Sequence, residues 1–393
     1  LNITDMMKDN ESYCPLIFNE IYADNSGEYR LCCHAKSTKT SQKYKSQTHK
    51  PFEYFNSPEM EDNRNKVLSG EKLPECSTCY KQEKAGGESY RKKKIRHYSG
   101  KSTNLPTYVD KVTLKLRING SYCNLSCYMC IPYNSSTRRN EMNLIYPEGW
   151  EFFSSSKFES VKHKEYDMIV NDIIDNIEKV DTIHITGGEP LQLPKHWELI
   201  DRIPKEHAKN IELCYDTNLT ELRYKNHSVY DVQNKFKKVV WGVSCDHIND
   251  RLSWIRYPID VKKFENNLKE IKDAGFNVIL NCTISLLNIH DLLEIHKYYK
   301  TKFGVVVNFN SVVTTPNFLS IQHLPQDVKD KLIDYYDLPS FVDKWGVNKM
   351  NLVLTQLKLD GDTKNLKQAY DYMDKLSKNR NFDWRTLWPD FLE

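Results

Sequence analysis

Residues 120–134 read GSYCNLSCYMCIPYN and place Cys123, Cys127 and Cys130 in a C-x3-C-x2-C run. Three thiolates so spaced can hold three corners of an iron–sulfur cube, which leaves a fourth iron for something else. Just upstream, KVTLKLRI (111–118) alternates apolar and polar residues as a strand does. Downstream come five more β-type runs: VDTIHIT (180–186), NIELCYD (210–216), KVVWGVSCD (238–246), FNVILNCTI (276–284) and FGVVVNFN (303–310). Helical periodicity lies between most of them. Tyr166, Ile169, Val170, Ile173, Ile174, Ile177 and Val180 form one apolar stripe, and Val261, Phe264, Leu268 and Ile271 form another that stops at Gly275. The segment LLNIHDLLEIHKYY (286–299) is a further helix candidate. Strands alternating with helices imply right-handed βαβ units and a parallel sheet. Six such units predict an α/β fold, a partial (β/α)6 TIM-like barrel two units short of the full one.

Composition narrows the function classes. A chain of 393 residues with 39% hydrophobic content can bury a large domain and a smaller one. No apolar run reaches the roughly 20 residues of a membrane span. The opening LNITDMMKDNESYC lacks a basic region followed by an apolar one, so no signal peptide is expected and the expected location is cytoplasmic. Net charge is +3, too small to argue for a nucleic-acid partner, and RKKKIRH (91–97) reads as a solvated linker. Eight of the eleven cysteines precede residue 131. Without a secretory signal, these closely spaced cysteines read as metal ligands rather than disulfides. Cys214, Cys245 and Cys282 sit in strand-like runs and read as small buried hydrophobes.

Active sites of barrels lie on the loops after the strands. The three cysteines follow the first strand, and Gly187, Gly188, Glu189 and Pro190 follow the second. Two glycines expose backbone amides and carbonyls to a ligand, and the adjacent carboxylate can accept from an ammonium group. The same GGE triplet at 86–88 follows no strand of the alternating region and reads as a turn.

CNLSCYMC, then a strand and GGEP, resembles the radical S-adenosylmethionine (radical SAM) superfamily over roughly residues 108–310, with Tyr128 as the aromatic of its CxxxCΦxC pattern. YDTNLT after the third strand, VSCDHINDRLSWIRYP after the fourth and NCTISLLN around the fifth resemble its peptide- and protein-modifying branch. The resemblance implies a [4Fe–4S] cluster on Cys123, Cys127 and Cys130, its fourth iron chelated by the amino and carboxylate groups of S-adenosylmethionine. It further implies backbone at Tyr128 near the adenine, Gly187, Gly188, Glu189 and Pro190 at the methionine amino group, Ser244 at the ribose and Arg256 at the carboxylate. Asn218 is an additional cofactor-binding candidate. The implied chemistry is reductive cleavage to a 5′-deoxyadenosyl radical that removes a hydrogen atom from substrate.

A second cysteine set precedes the barrel. Cys14, Gly27 and Cys32 follow the pattern C-x12-G-x4-C, and Cys76 and Cys79 form C-x2-C. This resembles the SPASM/twitch module of radical SAM maturases, here N-terminal, and implies a second, auxiliary [4Fe–4S] cluster on Cys14, Cys32, Cys76 and Cys79. Cys33 is a rival fourth ligand, and four cysteines ending in C-x2-C also suit structural zinc. Asn25-Ser26-Gly27 reads as a hairpin turn. After residue 320 the pattern is helical, with Leu366, Ala369, Tyr370, Met373 and Leu376 on one face and NFDWRTLWPDFLE closing the chain with packing aromatics.

The expected domains are 1–104, an auxiliary module with linker; 105–320, the partial barrel; and 321–393, a helical extension. The expected function is radical SAM chemistry on a peptide or protein side chain, with a flavodoxin- or ferredoxin-type electron donor. Modification of a nucleotide or nucleic acid, as by a methylthiotransferase, and a non-catalytic iron–sulfur or zinc protein are the alternatives. Four N-terminal ligands and a helical C-terminus weigh against the methylthiotransferase, and GGEP weighs against a purely structural site.

Overall fold

The computed structural model describes residues 10–24, 26–38, 41–84, 87–99, 111–117, 120–153, 163–337, 347–389 and 391. The chain divides into one unit of Leu1–Gly120, Lys157–Tyr215 and Val229–Val239, and another of Ser121–Ser156, Asp216–Ser228 and Val240–Glu393. Both mix helices with mostly parallel strands. In the first, the strands β1 (Glu20–Ala23), β2 (Tyr29–Arg30), β3 (Val112–Leu116), β4 (Val180–Ile185) and β5 (Glu212–Thr217) pair in the order β2-β1-β3-β4-β5. Only β1 and β2 are antiparallel; β1 then adds in parallel to β3, with Glu20 opposite Thr113 and Ala23 opposite Leu116. The second unit holds the small hairpin β6 (Arg223–Tyr224) and β7 (His227–Ser228), and the parallel set β8 (Lys238–Ser244), β9 (Asn277–Ile284) and β10 (Val307–Val312).

All six β-type runs of the alternating region form strands. The last starts later than expected, at Val307, because the helix Leu292–Phe303 takes up Phe303 and is capped by Gly304. The stripe counted from Tyr166 to Val180 spans three elements: the helix His163–Asp175, a 3-10 turn at Ile177–Lys179, and β4, which begins at Val180. The parallel strands are two-faced. Val112, Leu114 and Leu116 are buried while Thr113 and Lys115 are half-exposed, and β9 alternates Val278, Leu280, Cys282 and Ile284 with Ile279, Asn281 and Thr283. Each buried aliphatic side chain contributes roughly 1.5–3 kcal/mol. Cys245 and Cys282 lie on the buried face as expected, whereas Cys214 is only half-buried.

The hairpin β1–β2 turns through Gly27, whose φ is +80°. A β-carbon there would stand 2.2 Å from Ser46 Oγ and 2.6 Å from Gln47 Oε1. Strain and clash act together, so Gly27→Ala should cost about 1–3 kcal/mol. An unchanged urea midpoint in that variant would count against this packing.

Two expectations need correction. RKKKIRH is no linker: it lies in the helix Tyr90–Ser99, and Arg91 is buried, paired with Glu83 at 2.5 Å and donating to the Tyr13 carbonyl at 2.8 Å. In the helix Thr363–Arg380, the buried face carries Leu366, Ala369, Tyr372, Met373 and Leu376, with Tyr370 half-buried and stacked on Trp384. The terminal aromatics Trp384, Trp388 and Phe391 are buried, and the Leu387 carbonyl accepts from Arg251 at 2.9 Å. Among the described residues no helix is long and apolar enough to cross a membrane.

Candidate functional site: the three-cysteine loop

The loop after β3 is built from backbone and small polar side chains. Ser135 caps the helix Ser136–Ile145 by accepting from Arg138 N, and its hydroxyl donates to the Leu125 carbonyl at 2.7 Å. Ser126 N–H donates to the Tyr257 carbonyl at 2.6 Å and Tyr128 N–H to the Ile255 carbonyl at 2.9 Å. The Tyr128 ring is fully buried against Trp254. Its backbone carbonyl accepts from Arg138 Nη2 and from the Tyr372 hydroxyl.

Two of the predicted residues reach the cysteine sulfurs. Asn218, in the turn after β5, donates from Nδ2 to Cys123 Sγ at 3.8 Å and to Asn124 Oδ1 at 2.9 Å. Arg256, which ends the helix Asn249–Ile255, donates from Nη1 to Cys127 Sγ at 3.8 Å. Its Nε pairs with Asp246 Oδ2 at 2.7 Å, and Asp246 Oδ1 accepts from Thr283 N at 2.7 Å. Burial pushes the Cys127 thiol up, and the Arg256 guanidinium opposes it. Burial acts against the charge on Arg256, but Asp246 and Cys127 outweigh it and raise Arg256 overall. Cys130 Sγ donates to the Ile131 carbonyl at 3.6 Å. Ser244 is half-buried at the last position of β8.

Gly187 to Pro190 belong to the first unit and directly follow β4. Gly187 and Gly188 have φ of +96° and +48°, left-handed backbone that explains glycine at both positions. Glu189 is buried, and its carboxylate accepts from Leu191 N at 3.1 Å, capping the 3-10 turn Pro190–Gln192.

The four N-terminal cysteines also lie in the first unit. Cys14 precedes the short helix Leu16–Asn19, Cys32 follows β2, Cys76 ends the 3-10 turn Pro74–Cys76, and Cys79 sits in the helix Ser77–Lys84. Lys36 N donates to the Glu75 carbonyl at 2.9 Å, tying two of these segments together. Burial raises the Cys14 thiol, and Cys76 and Cys79 push it the same way; Cys32 is raised by burial, then by Cys14 and Cys33. Burial takes Cys76 up to about 12, with Cys79 adding to it. The charge of Arg91 opposes the rise at Cys14, Cys76 and Cys79. Cys33 takes a different partner, Lys115 Nζ at 3.7 Å. Among the described residues no three His, Cys, Asp or Glu side chains are gathered closely enough to hold a metal ion.

Sequence reasoning missed the charges behind the loop. Glu141 accepts from Ser126, Arg138 and Arg380, and all three charged side chains are buried. Asp246 lies inside the quoted stretch VSCDHINDRLSWIRYP, which has the form SxD…R, yet nothing in its spacing told that it would hold Arg256.

Residues 120–299 match the family model described as Radical SAM superfamily. The search of curated proteins found no match. Similar solved structures include native anSMEcpe with bound AdoMet, at 17% identity and TM-score 0.41, covering 59% of this chain and 60% of that one. Streptococcus suis SuiB bound to S-adenosylmethionine is similar at 15% identity and TM-score 0.39, covering 75% and 53%. TYW1 with a lysine-pyruvate adduct is similar at 15% identity and TM-score 0.31, covering 55% and 70%. The chain thus spans 60% of anSMEcpe and about half of SuiB. The matched segment, residues 120–299, carries the three cysteines, Asn218, Ser244 and Arg256.

Proposed function

We propose that this chain is a radical SAM enzyme acting on a peptide or protein side chain. The observation that carries the chemistry is the loop itself. Three thiols lie along one loop, with an amide N–H directed at the sulfur of Cys123 and a guanidinium at that of Cys127. N–H donors and a cation beside sulfur favour thiolate over thiol, which is the form a metal cluster takes. The donor set therefore fits a [4Fe–4S] cluster on Cys123, Cys127 and Cys130. Bound there, the cluster and S-adenosylmethionine would supply the electron transfer and the 5′-deoxyadenosyl radical needed to attack an unactivated C–H bond.

The protein's part is binding and orientation. Arg256, already neutralised by Asp246, would hold the cofactor carboxylate without adding an unbalanced charge. Ser244, at the mouth of β8, would meet the ribose. On the family resemblance alone, Gly187 to Pro190 would receive the methionine amino group, with Glu189 as acceptor, and the backbone at Tyr128 would border the adenine.

The spacing C-x12-G-x4-C followed by C-x2-C is what supports an auxiliary [4Fe–4S] site, on four thiols carried by three segments of the first unit. Anaerobically reconstituted protein should hold roughly eight irons per chain. Replacing Cys76 and Cys79 with Ala should leave roughly half. Zinc with only about four irons would overturn the auxiliary cluster while leaving the radical SAM site intact.

The peptide reading follows from the auxiliary-cluster spacing and the SxD…R segment. Among the similar structures, anSMEcpe is found with a Kp18Cys peptide and SuiB with its precursor peptide SuiA. Mass spectrometry of host peptides and nucleosides with and without the enzyme tests it. A modified nucleoside with no altered peptide would replace the protein substrate with a nucleic acid.

A further inference from the structure

The three-cysteine loop is gripped from the far end of the chain. The residues on both sides of Cys127, Ser126 and Tyr128, are each hydrogen-bonded through backbone N–H and carbonyl alike. The N–H groups of Ser126 and Tyr128 go to the segment Ile255–Tyr257. The carbonyls go mainly to the helix Thr363–Arg380: Ser126 O accepts from Arg380 Nη2 at 2.6 Å, and Tyr128 O accepts from the Tyr372 hydroxyl as well as from Arg138. Arg380 also donates from Nη1 to the Trp254 carbonyl at 2.7 Å, and from Nε and Nη2 to Glu141 at 2.7 and 2.9 Å. Every nitrogen of its guanidinium has an acceptor. One side chain therefore ties together the cysteine loop, the helix Ser136–Ile145 and the segment that presents Arg256.

The charges in this network do not cancel. Arg138 and Arg380 have fully buried side chains and share the single carboxylate of Glu141. Arg256 and Asp246 balance each other. One buried positive charge is left over, immediately behind the loop. Burying an unbalanced charge is costly unless an anion lies near. A cube held by three thiolates is such an anion, more negative still when reduced. Burial, with Arg380 beside it, pushes Arg138 down to about 10 although Glu141 opposes this, so its charge is held at a cost.

We infer that Arg380 is a positioning residue of the cluster site. The C-terminal helix is then part of the catalytic unit, and its surplus buried charge offsets the negative charge of the thiolate-bound cluster. The charge half of this inference rests on the proposed function; the positioning half does not.

The experiment compares wild type with Arg380→Gln, Arg380→Lys and Tyr372→Phe. In the cluster-free protein, hydrogen exchange at the Ser126 and Tyr128 amides should speed up tenfold or more in Arg380→Gln, with β9 unchanged. Tyr372→Phe, which removes one hydroxyl, should speed the same amides less, and it decides the point if Arg380→Gln fails to fold. After reconstitution, the cluster of Arg380→Gln should be harder to reduce than that of wild type. Arg380→Lys keeps the charge but not the fork, so it should restore the reduction behaviour while leaving the loop amides fast. Unchanged loop exchange in both Arg380→Gln and Tyr372→Phe overturns the positioning role. An unchanged potential in cluster-loaded Arg380→Gln overturns the charge role. A wild type that takes up no cluster refutes the proposed function, and the exchange arm still decides the positioning.

Discussion

Cys127→Ala is expected to reduce the conversion of S-adenosylmethionine to 5′-deoxyadenosine to background, in anaerobic protein reduced with dithionite. In the proposed site, removing one thiolate of three would open a second coordination position on the cluster, and the remaining pair would not hold it in one place. Cys127 is also the cysteine whose flanking peptides are pinned on both edges and whose sulfur faces Arg256. Its loss leaves a guanidinium without its sulfur partner beside an empty corner. Cys245→Ala is the matched control. That thiol is fully buried in the run after β8, its sulfur donating to the His247 carbonyl at 3.4 Å. It should cost roughly 1 kcal/mol of stability and leave cleavage close to wild type. Turnover that survives Cys127→Ala would refute the assignment of the loop, and equal loss in both variants would point to general damage instead.

Glu141→Gln should be the most destabilising single substitution behind the loop, by about 3–5 kcal/mol near neutral pH. Burial alone would raise the Glu141 carboxyl. Hydrogen bonding and charge from Arg380, the charge of Arg138 and the Ser126 hydroxyl outweigh burial and hold it at about 2, against an ordinary 4.5. The folded value lies below the unfolded one, so the stabilisation is fully present above about 4.5 and is lost as pH falls through about 2. Linkage over that interval is worth roughly 3 kcal/mol. Denaturant unfolding at pH 7, 5 and 4 should therefore show a gap between wild type and Glu141→Gln that is constant at first and then begins to close. A guanidinium does not titrate in that range, so the gap reports the carboxylate. A gap that widens on acidification would mean that Glu141 is not the anion of this network.

Much of the fold could be read from local pattern. β3 and β9 alternate because one face meets an apolar layer and the other does not, and a period of two in sequence records that. The helix Val261–Asp273 starts at Asp260, whose carboxylate accepts from Lys263 N at 3.0 Å, and buries Phe264, Leu268 and Ile271 on the expected stripe. Boundaries were less legible. Val180 fits both a helical stripe and a strand, and only pairing with Val112 of β3 places it in β4. RKKKIRH looks solvated because five of its seven residues are basic, yet Arg91 is drawn inside by Glu83 and the Tyr13 carbonyl, partners 8 and 78 residues away in sequence.

By itself, the sequence determined the chemistry this chain can present: three thiols on one loop after a strand, and two glycines before a carboxylate after the next. Those features depend on residues a few positions apart, whose geometry the local backbone dictates. Only the tertiary structure decided what surrounds them. Arg256 reaches Cys127 across 129 positions, Asn218 reaches Cys123 across 95, and Arg380 reaches the Ser126 carbonyl across 254. Residues so far apart in the chain leave no periodic trace, because a buried ion pair needs only two complementary charges at one place in space. The helical tail read as plain packing for the same reason: its Leu, Ala and Met repeat every three to four residues, while the arginine that holds the cysteine loop occurs once.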